Sequence, residues 1–388
     1  MPDAASPPTP NPLLELPKLG QAVWLDFIRR KMLQSGELAR LIREDGIRGV
    51  TSNPAIFEKA IGSGDEYAAP ILSIAPTVGF IPRRIYEELA IDDVRSAANV
   101  LAGVYQQTGG ADGFVSLEVS PELAHDAEGT VAEARRFWFA VDRPNLMIKV
   151  PGTREGISAT QTLLSEGIHV NVTLLFARGA YAKTAEAYLR ALEKRLAAGE
   201  AIDRAASVAS FFVSRIDTLV DQLLDQRLAA ATTQSDRNRL AALRGQIAIA
   251  NAKLAYRHFE ELLASERWQR LAAAGARPQR LLWASTSAKD PAYRDTVYVE
   301  ELIGADTVNT MPPETIAAFR DHGVARETLT ANVEAAQVAL DTLDEYGISL
   351  REVAHQLLSE GIEKFAQPFE RLLKTVEART HELVGGRG

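Results

Sequence analysis

Eight short apolar runs, each of strand length and separated by segments long enough for a helix, constrain this chain more than any other feature. They are Ala22–Phe27, Gly49–Asn53, Gly113–Val119, Leu146–Val150, Val170–Leu175, Val208–Val213, Arg280–Ser285 and Thr307–Met311. Apolar runs alternating with helix-period segments are the pattern of repeated βα units. Crossovers between parallel strands are right-handed, and eight of them close most simply into a (β/α)8 barrel of the TIM type. A doubly wound open sheet is the competing α/β fold, but neither a GxGxxG nor a GxxxxGK turn occurs.

The two longest intervals follow the second and sixth runs. Residues 214–278 carry Leu, Ala and Ile at helical spacing, so extra helices are expected outside the barrel wall. Ser349-Leu350-Arg351-Glu352 reads as a capping box. Behind it Leu350, Val353, Leu357, Ile362, Phe365, Phe369, Leu372 and Val376 form an apolar stripe, which predicts a long C-terminal helix packing on the barrel. Residues 1–17 hold six prolines and no basic side chain and read as a flexible leader; residues 18–388 read as one barrel domain with a helical extension.

Composition narrows the partners. With 46% hydrophobic and 24% charged residues, the chain can bury a sizeable core. It has no cysteine, which excludes disulfides and thiolate chemistry and suits a cytoplasmic protein. Its six histidines show no HxxxH spacing, so no metal is expected, and no cofactor motif is present. A net charge of −8 without a basic tract argues against nucleic acid, and no apolar stretch reaches membrane-spanning length. A homo-oligomer is compatible with all of this. An anionic substrate would have to be held by a few local cations.

The polar residues inside the apolar runs carry the chemistry. Lys149 interrupts Leu146-Met147-Ile148-Lys149-Val150-Pro151. A strand buried on both faces makes a lysine expensive, and the remedies are a carboxylate partner or loss of the proton. Desolvation favours the neutral amine, and a neutral amine can attack a carbonyl to form a Schiff base. Asp26, Thr51, Asn53, Ser116, Glu118, Asn171, Thr173, Ser210 and Phe212 fall on neighbouring runs, mostly near the C-terminal ends where this architecture places its catalytic mouth. Arg215 follows the sixth run and Lys289 the seventh, where loops of this fold bind phosphate.

Each residue alone also has a structural reading. Asp26 could cap a helix, Glu118 and Lys149 could be a buried ion pair, Asn53 could end a turn, and Arg215 and Lys289 could be solvated surface cations. The joint pattern favours a site: one lysine, two acids and several hydroxyl and amide groups on six successive strands.

These segments resemble the transaldolase family over nearly the whole barrel. The resemblance rests on Val23-Trp24-Leu25-Asp26, Gly49-Val50-Thr51-Ser52-Asn53-Pro54-Ala55-Ile56-Phe57, Met147-Ile148-Lys149-Val150-Pro151, Gly167-Ile168-His169-Val170-Asn171-Val172-Thr173-Leu174-Leu175-Phe176 and Ser210-Phe211-Phe212-Val213-Ser214-Arg215. It implies a class I aldolase-type barrel that transfers a dihydroxyacetone unit between sugar phosphates in the pentose phosphate pathway. It implies Lys149 as the Schiff-base residue, Asp26 as acid/base at the C4 hydroxyl, and Glu118 with Thr173 holding a catalytic water. Asn53, Asn171 and Ser210 would then hold the dihydroxyacetone moiety and Arg215 the terminal phosphate.

Two positions bear on specificity. Many family members have an arginine after the seventh strand, whereas this chain has Lys289, a point charge without a bidentate fork. Relatives that release free dihydroxyacetone carry a tyrosine at the place of Phe212, so phenylalanine favours transfer. The rival readings are a fructose-6-phosphate aldolase-type lyase and a non-catalytic barrel that binds a sugar phosphate.

Overall fold

The computed structural model describes residues 11–385. Eight parallel strands form a closed barrel in chain order: β1 (Gln21–Leu25), β2 (Ile47–Thr51), β3 (Phe114–Glu118), β4 (Leu146–Pro151), β5 (Val170–Leu175), β6 (Ser207–Phe212), β7 (Arg280–Ala284) and β8 (Thr307–Met311). Every expected run contains a strand, and nearly all strand residues are buried, as expected when helices cover the outside and side chains fill the inside. Closure is made by β1 and β8, paired from Gln21↔Thr307 to Leu25↔Met311.

Strand ends differ from the expected bounds for local reasons. Asp26 keeps one ladder bond, its N–H donating to Met311 O at 2.8 Å, but the chain turns away there. Asn53 leaves β2 to cap the helix Pro54–Ser63, its side chain accepting from the N–H of Ile56 at 3.0 Å. β4 runs through Pro151, which pairs with Thr173 on the β5 side only. The last β3 partner is Glu118, opposite Lys149, so the proline's missing N–H is not needed there. Between Val172 and Leu175 the register of β5 shifts, and Leu174 takes φ 61°.

Close packing makes one glycine obligatory. A Cβ on Gly49 would lie 2.4 Å from the indole of Trp24 on the adjacent strand. The Trp24 ring is wholly buried and its Nε1 donates to Asp112 at 3.0 Å.

The segment after β6 forms the expected helices, Ser214–Ala230, Gln234–Leu243, Ile247–Ala264 and Glu266–Ala273. The terminal helix Leu350–Gly385 runs through Pro368 and buries Val353, Leu357, Phe365, Phe369, Leu372 and Val376. Ser349 Oγ accepts from the N–H of Glu352 at 3.4 Å, as the capping box predicts. The helix lies on Pro54–Ser63 and Pro82–Gln107 and is clamped by Arg371–Glu58 and by Tyr86 edge-on to Phe369. Part of the expected leader is ordered: Pro12–Leu14 and Leu16–Leu19 form short 3-10 turns that bury Leu13 and Leu16, while residues 1–10 lie outside the described residues.

Candidate active site

Parallel register brings the polar strand residues to one level. Glu118 ends β3 directly opposite Lys149, Lys149 is opposite Asn171, and Pro151 is opposite Thr173. Residues two apart on a strand share a face, so Ser116 with Glu118, Asn171 with Thr173, and Ser210 with Phe212 all project inward. The result is a cavity of about 200 Å³ at the C-terminal mouth of the barrel. Asp26, Thr51, Asn53, Lys149, Thr173, Ser210, Phe212, Arg215 and Lys289 all line it. Glu118 and Asn171 do not reach that surface and stand behind it as supports.

Lys149 is buried, 5% exposed. Its Nζ lies 3.3 Å from Glu118 Oε2 and donates to Ser52 O at 3.2 Å. The ring of Phe365, from the terminal helix, lies 5.4 Å from the nitrogen. The amine therefore faces a polar cavity on one side and apolar or paired groups elsewhere. Burial pushes the Glu118 carboxyl up to about 7 against the lowering pull of Lys149, so it can exchange a proton near neutral pH.

Asp26 is buried and hydrogen-bonded in a comparable way. Thr51 Oγ1 donates to Asp26 Oδ1 at 2.6 Å, and the hydroxyls of Thr51 and Thr310 lie 2.8 Å apart. Burial raises the Asp26 carboxyl above the usual range, opposed chiefly by the positive charge of Lys149. On the far wall Ser210 Oγ donates to Asn171 Oδ1 at 2.6 Å, and Asn171 Nδ2 donates to Ser116 Oγ at 3.0 Å. This chain locks the amide orientation. Among the described residues Thr173 Oγ1 is buried without a hydrogen-bond partner, so its hydroxyl could serve a reactant.

The outer end of the cavity is cationic. Arg215 stacks over Phe212 at 5.3 Å, and its buried Nη1 has no partner among the described residues. Burial depresses its guanidinium, and Lys289 is depressed by burial first and then by the charge of Arg215. Neither forms an ion pair among the described residues; Lys289 Nζ donates only to Ser287 Oγ at 2.6 Å. Two cations line this cavity, one of them with an unused donor, and Glu314 lies beside them; the pair could receive an anion.

Three contributors were not expected from the sequence. Phe365 comes from a helix remote in the chain, Thr310 from β8, and Glu314 from the helix after β8. Thr310 had a signal, being a hydroxyl near the C-terminal end of a strand like those on β2 and β5. Phe365 read only as part of an apolar stripe, and Glu314 as an acid in a helix's first turn.

The family described as Transaldolase/Fructose-6-phosphate aldolase matches residues 23–376. Among curated relatives, a transaldolase of Trichodesmium erythraeum (strain IMS101) is 48% identical over 376 residues, covering 96% of this chain and 98% of that protein. A transaldolase of Thermobifida fusca (strain YX) is 48% identical, covering 94% of this chain and 97% of its own. A transaldolase of Neisseria meningitidis serogroup A is 46% identical, covering 93% and 98%.

Proposed function

Because the chain belongs to the transaldolase/fructose-6-phosphate aldolase family, we propose that it is a transaldolase whose Schiff base forms on Lys149. The observation that carries this reading is a buried amine facing the same cavity as the Asp26 carboxyl, with Glu118 3.3 Å behind it.

In this mechanism the neutral amine attacks the C2 carbonyl of a ketose phosphate, such as fructose 6-phosphate or sedoheptulose 7-phosphate. The carbinolamine loses water to give an iminium; Glu118 and Thr173 supply and accept the protons through a held water. Asp26 then takes the proton from the C4 hydroxyl, the C3–C4 bond breaks, and its electron pair passes into the iminium to give an enamine. The aldose phosphate leaves. The enamine attacks the aldehyde carbon of an acceptor such as erythrose 4-phosphate or glyceraldehyde 3-phosphate, Asp26 returns the proton, and water frees the ketose from Lys149.

Asn53 and Ser210 orient the retained three-carbon unit, Asn171 fixes Ser210 from behind the cavity wall, and Arg215 with Lys289 holds the phosphate. Phe212 offers no proton to the waiting enamine, which favours transfer over release of dihydroxyacetone. Arg215 selects a phosphorylated substrate, in keeping with a place in the pentose phosphate pathway. No helix among the described residues is long and apolar enough to cross a membrane, and the absence of cysteine fits a cytoplasmic setting.

The test is a pair of assays. Glyceraldehyde 3-phosphate should form from fructose 6-phosphate only when erythrose 4-phosphate is also present; equal formation without the acceptor would assign the lyase. Borohydride with fructose 6-phosphate should fix a three-carbon adduct on Lys149, and labelling of another lysine would overturn the assignment.

A further inference from the structure

A second cleft opens on the same side of the barrel, outside the Lys149 cavity. It lies between the first turns of the helices Arg154–Ser165 and Arg178–Ala197 and the faces of Ile247–Ala264, Val333–Glu345 and the terminal helix. Its volume is about 790 Å³, the size of a pocket for a small organic molecule. The floor is apolar, formed by Leu174, Phe176, Leu254, Leu340 and Leu358.

The rim is cationic. Arg154, Arg178, Lys183, Arg351 and His355 surround the opening, and among the described residues no Asp or Glu lines it. In a chain with 51 acidic and 43 basic residues this reverses the overall sign locally. Among the described residues none of the five makes an ion pair or a side-chain hydrogen bond, whereas Arg135, Arg195 and Arg267 in the same outer layer of helices are all paired. Two acids stand beside them in sequence and neither lines the cleft: Glu155 has Oε2 3.5 Å from His125 Nδ1, and Glu352 lies in the first turn of the terminal helix.

The backbone adds to the same field. Ala177 has no side chain with which to cap the helix Arg178–Ala197, so the first N–H groups of a 20-residue helix meet the rim. Asn251 Nδ2 donates to Phe176 O at 2.9 Å and fixes this edge. Cations held apart without partners around an apolar floor match a ligand with both characters.

We propose that this cleft binds a small amphipathic anion: one carboxylate, sulfonate or phosphate on an apolar chain or ring. Arg154, Arg178 and Arg351 read the head group, and Leu254, Leu340 and Leu358 carry the body. A sugar phosphate is polar throughout and does not match this floor, so the site is distinct from the cavity of Lys149.

The test uses the full chain and the fluorescence of 1-anilinonaphthalene-8-sulfonate, with decanoate and decanol as competitors. Saturable binding at one site is expected, displaced by decanoate, about tenfold less well by decanol, and unaffected by inorganic phosphate at concentrations that fill the sugar-phosphate cavity. Arg178→Gln combined with Arg351→Gln should weaken binding on the order of 10–100-fold. Ala354→Trp fills the cleft without changing its charge and should abolish binding. Retained transfer activity shows that each variant is folded, since none of these residues lines the Lys149 cavity. Equal displacement by decanol, or binding that survives both the double variant and Ala354→Trp, overturns the proposal.

Discussion

The Nζ of Lys149 lies 3.3 Å from Oε2 of Glu118, and each side chain is only 6% exposed. Barrel register dictates this pairing, because Glu118 and Lys149 are direct neighbours across β3 and β4. A buried ion pair is weak support for stability, since desolvating two charges offsets most of their attraction. On the proposed mechanism its value is chemical, a proton carrier placed beside the amine that forms the Schiff base. Glu118→Gln keeps the shape but removes that proton exchange. Turnover should fall about 10²–10⁴-fold, with the borohydride adduct on Lys149 forming more slowly in rapid-quench measurements. An unchanged adduct rate would make Glu118 a structural partner only.

Asp26 acts after the Schiff base in this scheme, so the two events should separate. Asp26→Asn preserves the contact with Thr51 and should still trap the three-carbon adduct, while steady-state transfer drops on the order of 10²–10⁴-fold. Loss of trapping together with activity would mean that Asp26 assembles the site rather than moving the C4 proton.

Arg215 and Lys289 face the same outer cavity but differ in reach. Arg215 is half-buried, with an Nη1 that has no partner among the described residues, whereas Lys289 is the more exposed of the two although its stem is partly covered. A charge-assisted hydrogen bond of roughly 1.5–3 kcal/mol predicts a 10–100-fold rise in KM for fructose 6-phosphate in Arg215→Ala, and a smaller one in Lys289→Ala. Neither change should affect unphosphorylated dihydroxyacetone as donor. Equal effects on both donors would remove Arg215 from the phosphate site.

Phe212 packs on Phe176 with ring centroids 5.2 Å apart and lines the cavity. Phe212→Tyr adds a hydroxyl to the cavity that would hold the enamine on the proposed mechanism. Glyceraldehyde 3-phosphate should then appear from fructose 6-phosphate without acceptor, measured by a coupled dehydrogenase assay. If the acceptor requirement stays as strict as before, protection of the enamine lies elsewhere.

A carboxyl outside the site is expected to contribute to the pH dependence of stability. Asp217 is 1% exposed and accepts from Ala248 N at 2.7 Å and Tyr298 OH at 2.8 Å, and burial pushes it up to about 7. The folded state then holds a proton that the unfolded chain releases at its ordinary carboxyl pKa of 3.8. Stability contributed by this group is complete below 3.8 and is lost as pH rises toward about 7, by at most about 4 kcal/mol. Asp217→Asn should flatten that slope, so its melting temperature gains on the parent between pH 5 and pH 8. A constant difference across that range would show that Asp217 does not change its charge on folding.

The strand runs were legible because period and polarity are local properties. A lysine in an apolar run, acids and hydroxyls at strand ends, and Pro or Gly at turns can all be read within a few residues. Their convergence was also inferable, since parallel strands in chain order must bring their C-terminal ends to one mouth. Strand ends were read one or two residues long at Asp26 and Asn53, because both look strand-like until the turn to the next helix claims them. The packing of residues 11–17 was hidden for a similar reason: Leu13 and Leu16 are too few to show a period, and only the barrel supplies the surface that buries them.

What the chain determined alone was the order of its elements and the inventory of reactive groups, since both follow from side-chain type and spacing. Which partner each group meets was decided by the closed fold. Thr310 reaches Thr51 only when β8 closes on β1, and Phe365 covers Lys149 only when the terminal helix crosses the mouth. Those contacts join segments hundreds of residues apart, where no local period records distance and only the geometry of closure brings them within van der Waals reach.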